Sequence, residues 1–214
     1  MKSLFIVLEG IDGSGTSTQA LLLKDYFLKN GGQAVISPEP TDGIIGKLLR
    51  EAMQKKIIPI RNTKRFDEQM AYLFAADRHY HLYNDIDGIF KLIQDGVNVI
   101  STRYYFSSLA YNCHSTEDFK FVKRLNENFP NPDLVIYFDI PVEVSWQRLI
   151  DRASLDIYET EDKLRTVREN FERVFQDYSG AILKLDGSQP KDVIHQKIVD
   201  YIEKLKDREE EMQI

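Results

Sequence analysis

The chain has 214 residues, 43 % hydrophobic and 29 % charged, a balance that supports a buried core and excludes wholesale disorder. With 34 acidic against 28 basic side chains, the formal net charge of −6 argues against a protein that coats nucleic acid or an anionic membrane by bulk charge. The single cysteine, Cys113, excludes an internal disulfide and argues against a cysteine-built metal site. No apolar stretch approaches a membrane span, and the apolar run before Glu9 is too short for a signal peptide, so a cytoplasmic protein is expected.

Short β-rich runs alternate with helical patterns along the chain. Leu4 to Leu8 reads as a buried strand ended by Glu9-Gly10. A helix is expected from about Ser17 to Lys29, with Leu21, Leu22, Tyr26 and Leu28 on its apolar face, stopped by Gly31-Gly32. Ala34 to Ser37 is a second strand, closed by Pro38. Helical patterns follow from about Ile44 to Lys55 and from about Lys64 to Gln94, the latter with a break near Asn84. Asp95-Gly96 turns the chain into a third strand, Val97 to Ser101; Asp133 to Phe138 and Ala181 to Leu185 are the fourth and fifth. The tail from Glu203 to Ile214 reads as the solvated end of a last helix. Such alternation requires crossover connections, so the expected fold is α/β: a five-stranded parallel sheet covered by helices on both faces, in one domain over 1–214. Ligands of such sheets bind at the carboxyl ends of the strands.

Directly after the first strand stands Gly10-Ile11-Asp12-Gly13-Ser14-Gly15-Thr16-Ser17, which fits the phosphate-loop spacing G-x-x-x-x-G-K-[ST] except that Thr16 replaces the lysine. Glycines let the backbone wrap a phosphate with its N–H groups inward, and the following helix adds its positive end. Gly10, Asp12, Gly13, Ser14, Gly15, Thr16, Ser17 and Thr18 are thus the candidate ATP-phosphate site, with the Ser17 hydroxyl placed for Mg²⁺. The alternative is a glycine-rich strand-to-helix turn without a ligand. The lysine ammonium normally lies against the β- and γ-phosphates, and Thr16 offers a hydroxyl without charge.

From this loop onward the chain resembles the thymidylate (dTMP) kinases. The resemblance continues through Glu39-Pro40-Thr41, Leu73 to Arg78, Arg103-Tyr104 with Ser107 to Tyr111, and Pro132-Asp133-Leu134 leading to Asp139-Ile140-Pro141. It ends with Arg148 and Arg152, Asp156 to Glu159, and Asp186 to Pro190, in family order over nearly the whole chain. The resemblance implies a phosphate-loop nucleoside monophosphate kinase fold, transfer of the γ-phosphoryl of Mg·ATP to dTMP giving dTDP and ADP on the way to dTTP, and a homodimer. It implies that Phe74 stacks on thymine, that Arg78 reaches the base edge, and that Ser108 and Tyr111 line base and sugar, with Ser107 grouped in the same dTMP site. It makes Asp12 a deoxyribose contact, groups Glu39 with the dTMP site, and has Arg103 grip the dTMP phosphate. Tyr158-Glu159 closes over the monophosphate, and Arg148 with Arg152, one helical turn apart in a lid at about 148–160, points at the ATP phosphates. Arg103, Arg148 and Arg152 are the candidate catalytic residues. Read without the family, Phe74 is equally a core aromatic and the arginine pair equally a solvated surface.

The departures from the family pattern cluster near the chemistry. Besides Thr16, Thr102 replaces Asp, Pro38 replaces Arg, Ile157 replaces Arg and Asn112 replaces Gln. Two alternatives follow: a catalytically weakened nucleotide-binding protein of the same fold, or a kinase for another nucleoside monophosphate. The helix faces around Leu48-Leu49 and Met70 to Leu73 are candidates for dimer contacts. His79, His81, His114 and His195 form no metal-ligand pattern with cysteine and read as structural or exposed.

Overall fold

Five consecutive apolar side chains, Leu4 to Leu8, form the spine of the molecule, each at most 5 % exposed. Successive strand side chains point to opposite faces, so Phe5 and Val7 join one core cluster while Leu4, Ile6 and Leu8 join another. A strand apolar on both sides needs a sheet covered on both faces. The computed structural model, which describes residues 3–54, 57–150, 156 and 158–211, has that sheet. Strand β1 (Phe5–Gly10) is central, β2 is Gln33–Ile36, β3 Val97–Thr102, β4 Leu134–Asp139 and β5 Ile182–Asp186. Their order is β2-β3-β1-β4-β5 and all pairs are parallel, with Val7 opposite Ser101 on one side and Val135 on the other.

The helices are α1 (Thr16–Lys29), α2 (Ile44–Met53), α3 (Thr63–Tyr83), α4 (Ile89–Gln94), α5 (Tyr105–Tyr111), α6 (Thr116–Asn126), α7 (Val142–Ile150), α8 (Glu161–Gln176) and α9 (Lys191–Glu211). Helices α1 and α9 cover the face of Ile6 and Leu8 with Leu23, Phe27, Ile194, Ile198 and Ile202. The other face is covered mainly by α5, α7 and α8, through Leu109, Leu149, Leu164 and Phe171. Each such fully buried side chain contributes about 1.5–3 kcal/mol over its exposed state.

Two details differ from the sequence reading and a third agrees with it. The buried stripe of α1 is Ala20, Leu23 and Phe27, spaced i, i+3, i+7, whereas Leu21 and Leu28 are exposed. The break near Asn84 is real: Asn84 caps α3, and its side-chain oxygen accepts the N–H groups of Ile86 and Asp87 at 3.1 and 2.9 Å. Asp133 lies just before β4, where its backbone N–H donates to the Phe5 carbonyl at 2.9 Å and its carboxylate accepts the Phe5 N–H at 2.8 Å. Lys55, at the end of the helix expected from Ile44, lies outside the described residues.

The chain builds outward on one side of β1 and later on the other, so β1 is where strand order reverses. A crevice opens at the carboxyl end of such a strand. The segments that follow β1, β3 and β4 converge there.

Candidate active site

The loop after β1 is shaped by backbone requirements. Gly13 and Gly15 have φ of +78° and +99°, a left-handed conformation that side chains strain against, and a Cβ on Gly13 would lie 2.9 Å from the Ser145 carbonyl oxygen. Gly15 caps α1 without a side-chain hydrogen bond, so the N–H groups of the first turn have no intrahelical partner and face outward. They open on a cavity of about 500 Å³, within the range of small-molecule sites. Asp12 to Gln19, Thr102, Arg103, Arg148 and Lys191 are among its walls; Gly10 closes β1 just behind.

Arg103 follows β3 and is the single non-glycine residue with a positive φ, +79°, among the described residues. Such strain costs on the order of 1–3 kcal/mol and persists only where surroundings enforce it. Here the Arg103 N–H donates to the Leu8 carbonyl at 3.0 Å, and the Ser101 hydroxyl donates to the Arg103 carbonyl at 2.8 Å. The guanidinium donates to Asp12 and, at 3.2 Å, to Ser107, and lies 4.8 Å from the centre of the Tyr111 ring. Burial opposes its charge, but Asp12, Tyr111 and Glu9 outweigh that and hold it firmly cationic. The Tyr111 hydroxyl donates to the second Asp12 oxygen at 2.8 Å.

Beneath this group Glu9 is fully buried. Its carboxylate accepts the Tyr104 and Ser107 N–H groups at 2.8 and 3.3 Å and the Ser107 hydroxyl at 2.6 Å. Burial pushes its pKa up to about 7, with these hydrogen bonds and Arg103 pulling the other way. Glu9 thereby ties the start of α5 to the end of β1 and backs the residue pair Arg103–Ser107.

A second cavity, a slot of about 90 Å³, opens on the other side of Arg103. Glu39, Pro40, Phe74, Arg78, Ser107, Ser108, Tyr111, Asn112, Asp156 and Tyr158 line it, together with Asp12 and Arg103. Phe74 serves both readings made from sequence: it forms slot wall and packs on the small cluster of Leu49, Ala52 and Met70. Arg78 is 1 % exposed and its terminal nitrogens are engaged by Glu39 at 2.6 Å, Ser108 at 3.2 Å and Asn126; its Nε alone has no partner. Glu39 in turn faces His81 at 3.2 Å. The Asp77 carboxylate, with its pKa raised by burial, accepts the Thr41 N–H and hydroxyl at 2.8 and 2.6 Å and so holds the Glu39-Pro40-Thr41 turn. Tyr158 meets Tyr111 edge to face at 5.9 Å between ring centres.

Most candidate residues therefore gather around two cavities that share Asp12 and Arg103. Glu159 is the exception on the slot side: it is buried, and its carboxylate accepts the Asp156 N–H at 2.7 Å without lining the slot. Arg148 reaches the loop cavity, but its guanidinium bonds the Gly13 carbonyl at 3.0 Å and the Gly187 carbonyl at 3.3 Å, bridging the phosphate loop to the turn after β5. Arg152, Ile157 and much of the expected lid lie outside the described residues. Leu49 and Met70, expected at a dimer contact, are fully buried within their own chain; Leu48 and Tyr72 are exposed there instead. Among the described residues no three His, Cys, Asp or Glu side chains group to enclose a metal, and no helix is long and apolar enough to cross a membrane. Sequence reasoning gave Glu9 no role and passed over Lys191, which the Gln19 side chain pins at the cavity rim by donating to its carbonyl at 2.8 Å. No local pattern marks Lys191; only the packing of α9 on α1 does.

Comparison with known proteins adds an independent finding. The family described as Thymidylate kinase matches residues 8–198. A putative thymidylate kinase of Treponema pallidum is 34 % identical over 204 residues, covering 92 % of this chain and 94 % of its own. A probable thymidylate kinase of Pyrococcus horikoshii is 40 % identical over 172 residues, 80 % of this chain and 82 % of its own. One from Thermococcus kodakarensis is 36 % identical over 206 residues, 94 % and 98 %.

Proposed function

This chain belongs to the thymidylate kinase family, and we propose how its two cavities divide the phosphorylation of dTMP. ATP takes the loop cavity, with its phosphates against the N–H groups of Gly13 to Thr18 at the start of α1. dTMP takes the slot, its base against Phe74 and between the walls of Arg78, Ser108 and Tyr111. The observation that carries this reading is that Asp12 and Arg103 belong to both cavities. A guanidinium at that boundary suits the acceptor phosphate and the transferring group at once.

The chemistry needs no general base. An ionised oxygen of the dTMP phosphate attacks the γ-phosphorus; the new P–O bond forms as the bond to the β-phosphate oxygen breaks, and ADP leaves with that electron pair. Catalysis is then alignment and charge stabilisation. On binding, Arg103 exchanges part of its contact with Asp12 for phosphate, and Glu9 through Ser107 keeps the guanidinium from swinging away. Thr16 brings no charge, so the cations that line the loop cavity, Arg103, Arg148 and Lys191, supply it. Mg²⁺ suits this site as an ion held mostly by phosphate oxygens and water. Ser17 lines the cavity with an exposed hydroxyl, and Thr102 offers a second oxygen where a carboxylate is absent. Bound with ATP, the ion would neutralise charge on the leaving phosphates.

Exposed Leu48, Tyr72, Tyr80, Tyr83 and Phe90 along α2, α3 and α4 support a homodimer formed through that face, which sedimentation of the Tyr80→Glu/Tyr83→Glu variant tests by loss of the dimer. A cytoplasmic site of action accords with ATP as co-substrate. The functional test is ADP release with Mg·ATP and dTMP, with dUMP, dCMP and dGMP as parallel acceptors. Selective dTMP-dependent turnover on the order of 1 s⁻¹ or more supports the reading. dTMP binding by calorimetry without turnover would sink it and favour a nucleotide-binding protein that has lost its chemistry.

A further inference from the structure

Asp67 lies on α3 behind the acceptor slot, 2 % exposed, and is not part of the slot wall. One of its oxygens accepts the Tyr158 hydroxyl at 2.8 Å. The other bonds His114 Nε2 and lies 4.0 Å from Lys163 Nζ. A carboxylate in this company only accepts hydrogen bonds, so the phenolic hydrogen of Tyr158 is committed to it. The phenol oxygen is left with lone pairs, and the Asn112 side-chain NH₂ donates to it at 3.3 Å. An amide whose NH₂ end is held in this way has its carbonyl end turned elsewhere. Asn112 lines the slot, is 3 % exposed, and its Oδ1 has no partner. A buried polar atom without a partner is costly unless a ligand completes it.

We propose that Asp67 is a positioning residue for acceptor choice: acting through Tyr158, it fixes the Asn112 amide so that the slot presents a carbonyl acceptor to the base. The proposal rests on the reading of the slot as the dTMP site. A carbonyl there suits a pyrimidine with an N–H at position 3, as in thymine, and repels one with a lone pair at that position, as in cytosine. Without the relay the amide is free to turn its NH₂ to the base, and the discrimination weakens.

The test compares kcat and KM for dTMP and dCMP, with Mg·ATP saturating, in the wild-type chain and four variants. Tyr158→Phe removes the hydroxyl and keeps the ring. Asp67→Asn replaces the obligate acceptor by a group that also donates, and Tyr158→Phe stands alone if that variant fails to fold. Each should raise the dTMP KM about tenfold and lower the dTMP-to-dCMP ratio of kcat/KM by a similar factor, as for loss of one buried polar partner. The KM for ATP and the dTMP kcat should stay within about twofold, a split that general loosening of the fold would not produce. In an Asn112→Ala background, Tyr158→Phe should change the ratio no further. An unchanged ratio in Tyr158→Phe, with the wild-type protein active on dTMP, would overturn this proposal alone. No dTMP-dependent turnover by the wild-type protein would overturn the functional reading and the proposal with it.

Discussion

Replacing Glu9 by glutamine tests whether a titratable group under the candidate active site governs stability. Glu9 is fully buried, and burial raises its pKa from 4.5 to about 7. The folded pKa lies above the unfolded one, so folding takes up a proton between these values. The stabilisation is complete below pH 4.5 and is lost as pH rises through 7. At about 1.4 kcal/mol per pH unit, the ionised form costs the fold about 3 kcal/mol above pH 7. Glutamine keeps an oxygen for the Tyr104 and Ser107 N–H groups but cannot ionise. Urea unfolding of both proteins at pH 5 and pH 8 measures the difference. The stability of Glu9→Gln relative to wild type should rise by about 2–3 kcal/mol from pH 5 to pH 8. In thermal unfolding the same change corresponds to a relative Tm gain of about 5–10 °C. Asp77 and Asp156 are also raised by burial, but they titrate in both proteins and cancel in the difference. Parallel pH profiles for the two proteins would refute the reasoning.

Arg103→Lys keeps the charge but loses the planar fork that spans Asp12 and Ser107; kcat should fall about 10²–10³-fold in the ADP-release assay. Phe74→Ala removes a slot wall and should raise the dTMP KM by about 1–3 kcal/mol of lost stacking, with the ATP KM unchanged. Thr16→Lys adds an ammonium to a cavity whose other cations reach it from Arg103, Arg148 and Lys191. It should raise kcat/KM by roughly tenfold, less than the full worth of a preorganised donor; a fall would mean that the loop is built around Thr16.

Much of this protein was legible in one dimension because its signals are local. A run such as Leu4 to Leu8 can be buried only in a doubly covered sheet, and Gly13 and Gly15 mark a backbone that only glycine adopts without strain. The order of motifs from Gly10 to Pro190 carried the family with it. What tertiary structure alone decided are the relations between distant segments. Composition on α1 favoured Leu21 and Leu28 as core, yet which stripe is buried depends on where α9 packs, and it packs on Leu23 and Phe27. Arg78 was expected only at the base edge, but folding surrounds it with Glu39, Ser108 and Asn126 from three other segments. Glu9, Lys191 and Asp67 meet partners far along the chain, so no window of neighbouring residues contains their contacts. Local propensity writes the strands, helices and loop into the sequence; the pairing of buried polar groups is settled only when desolvation forces each to find a partner across the fold.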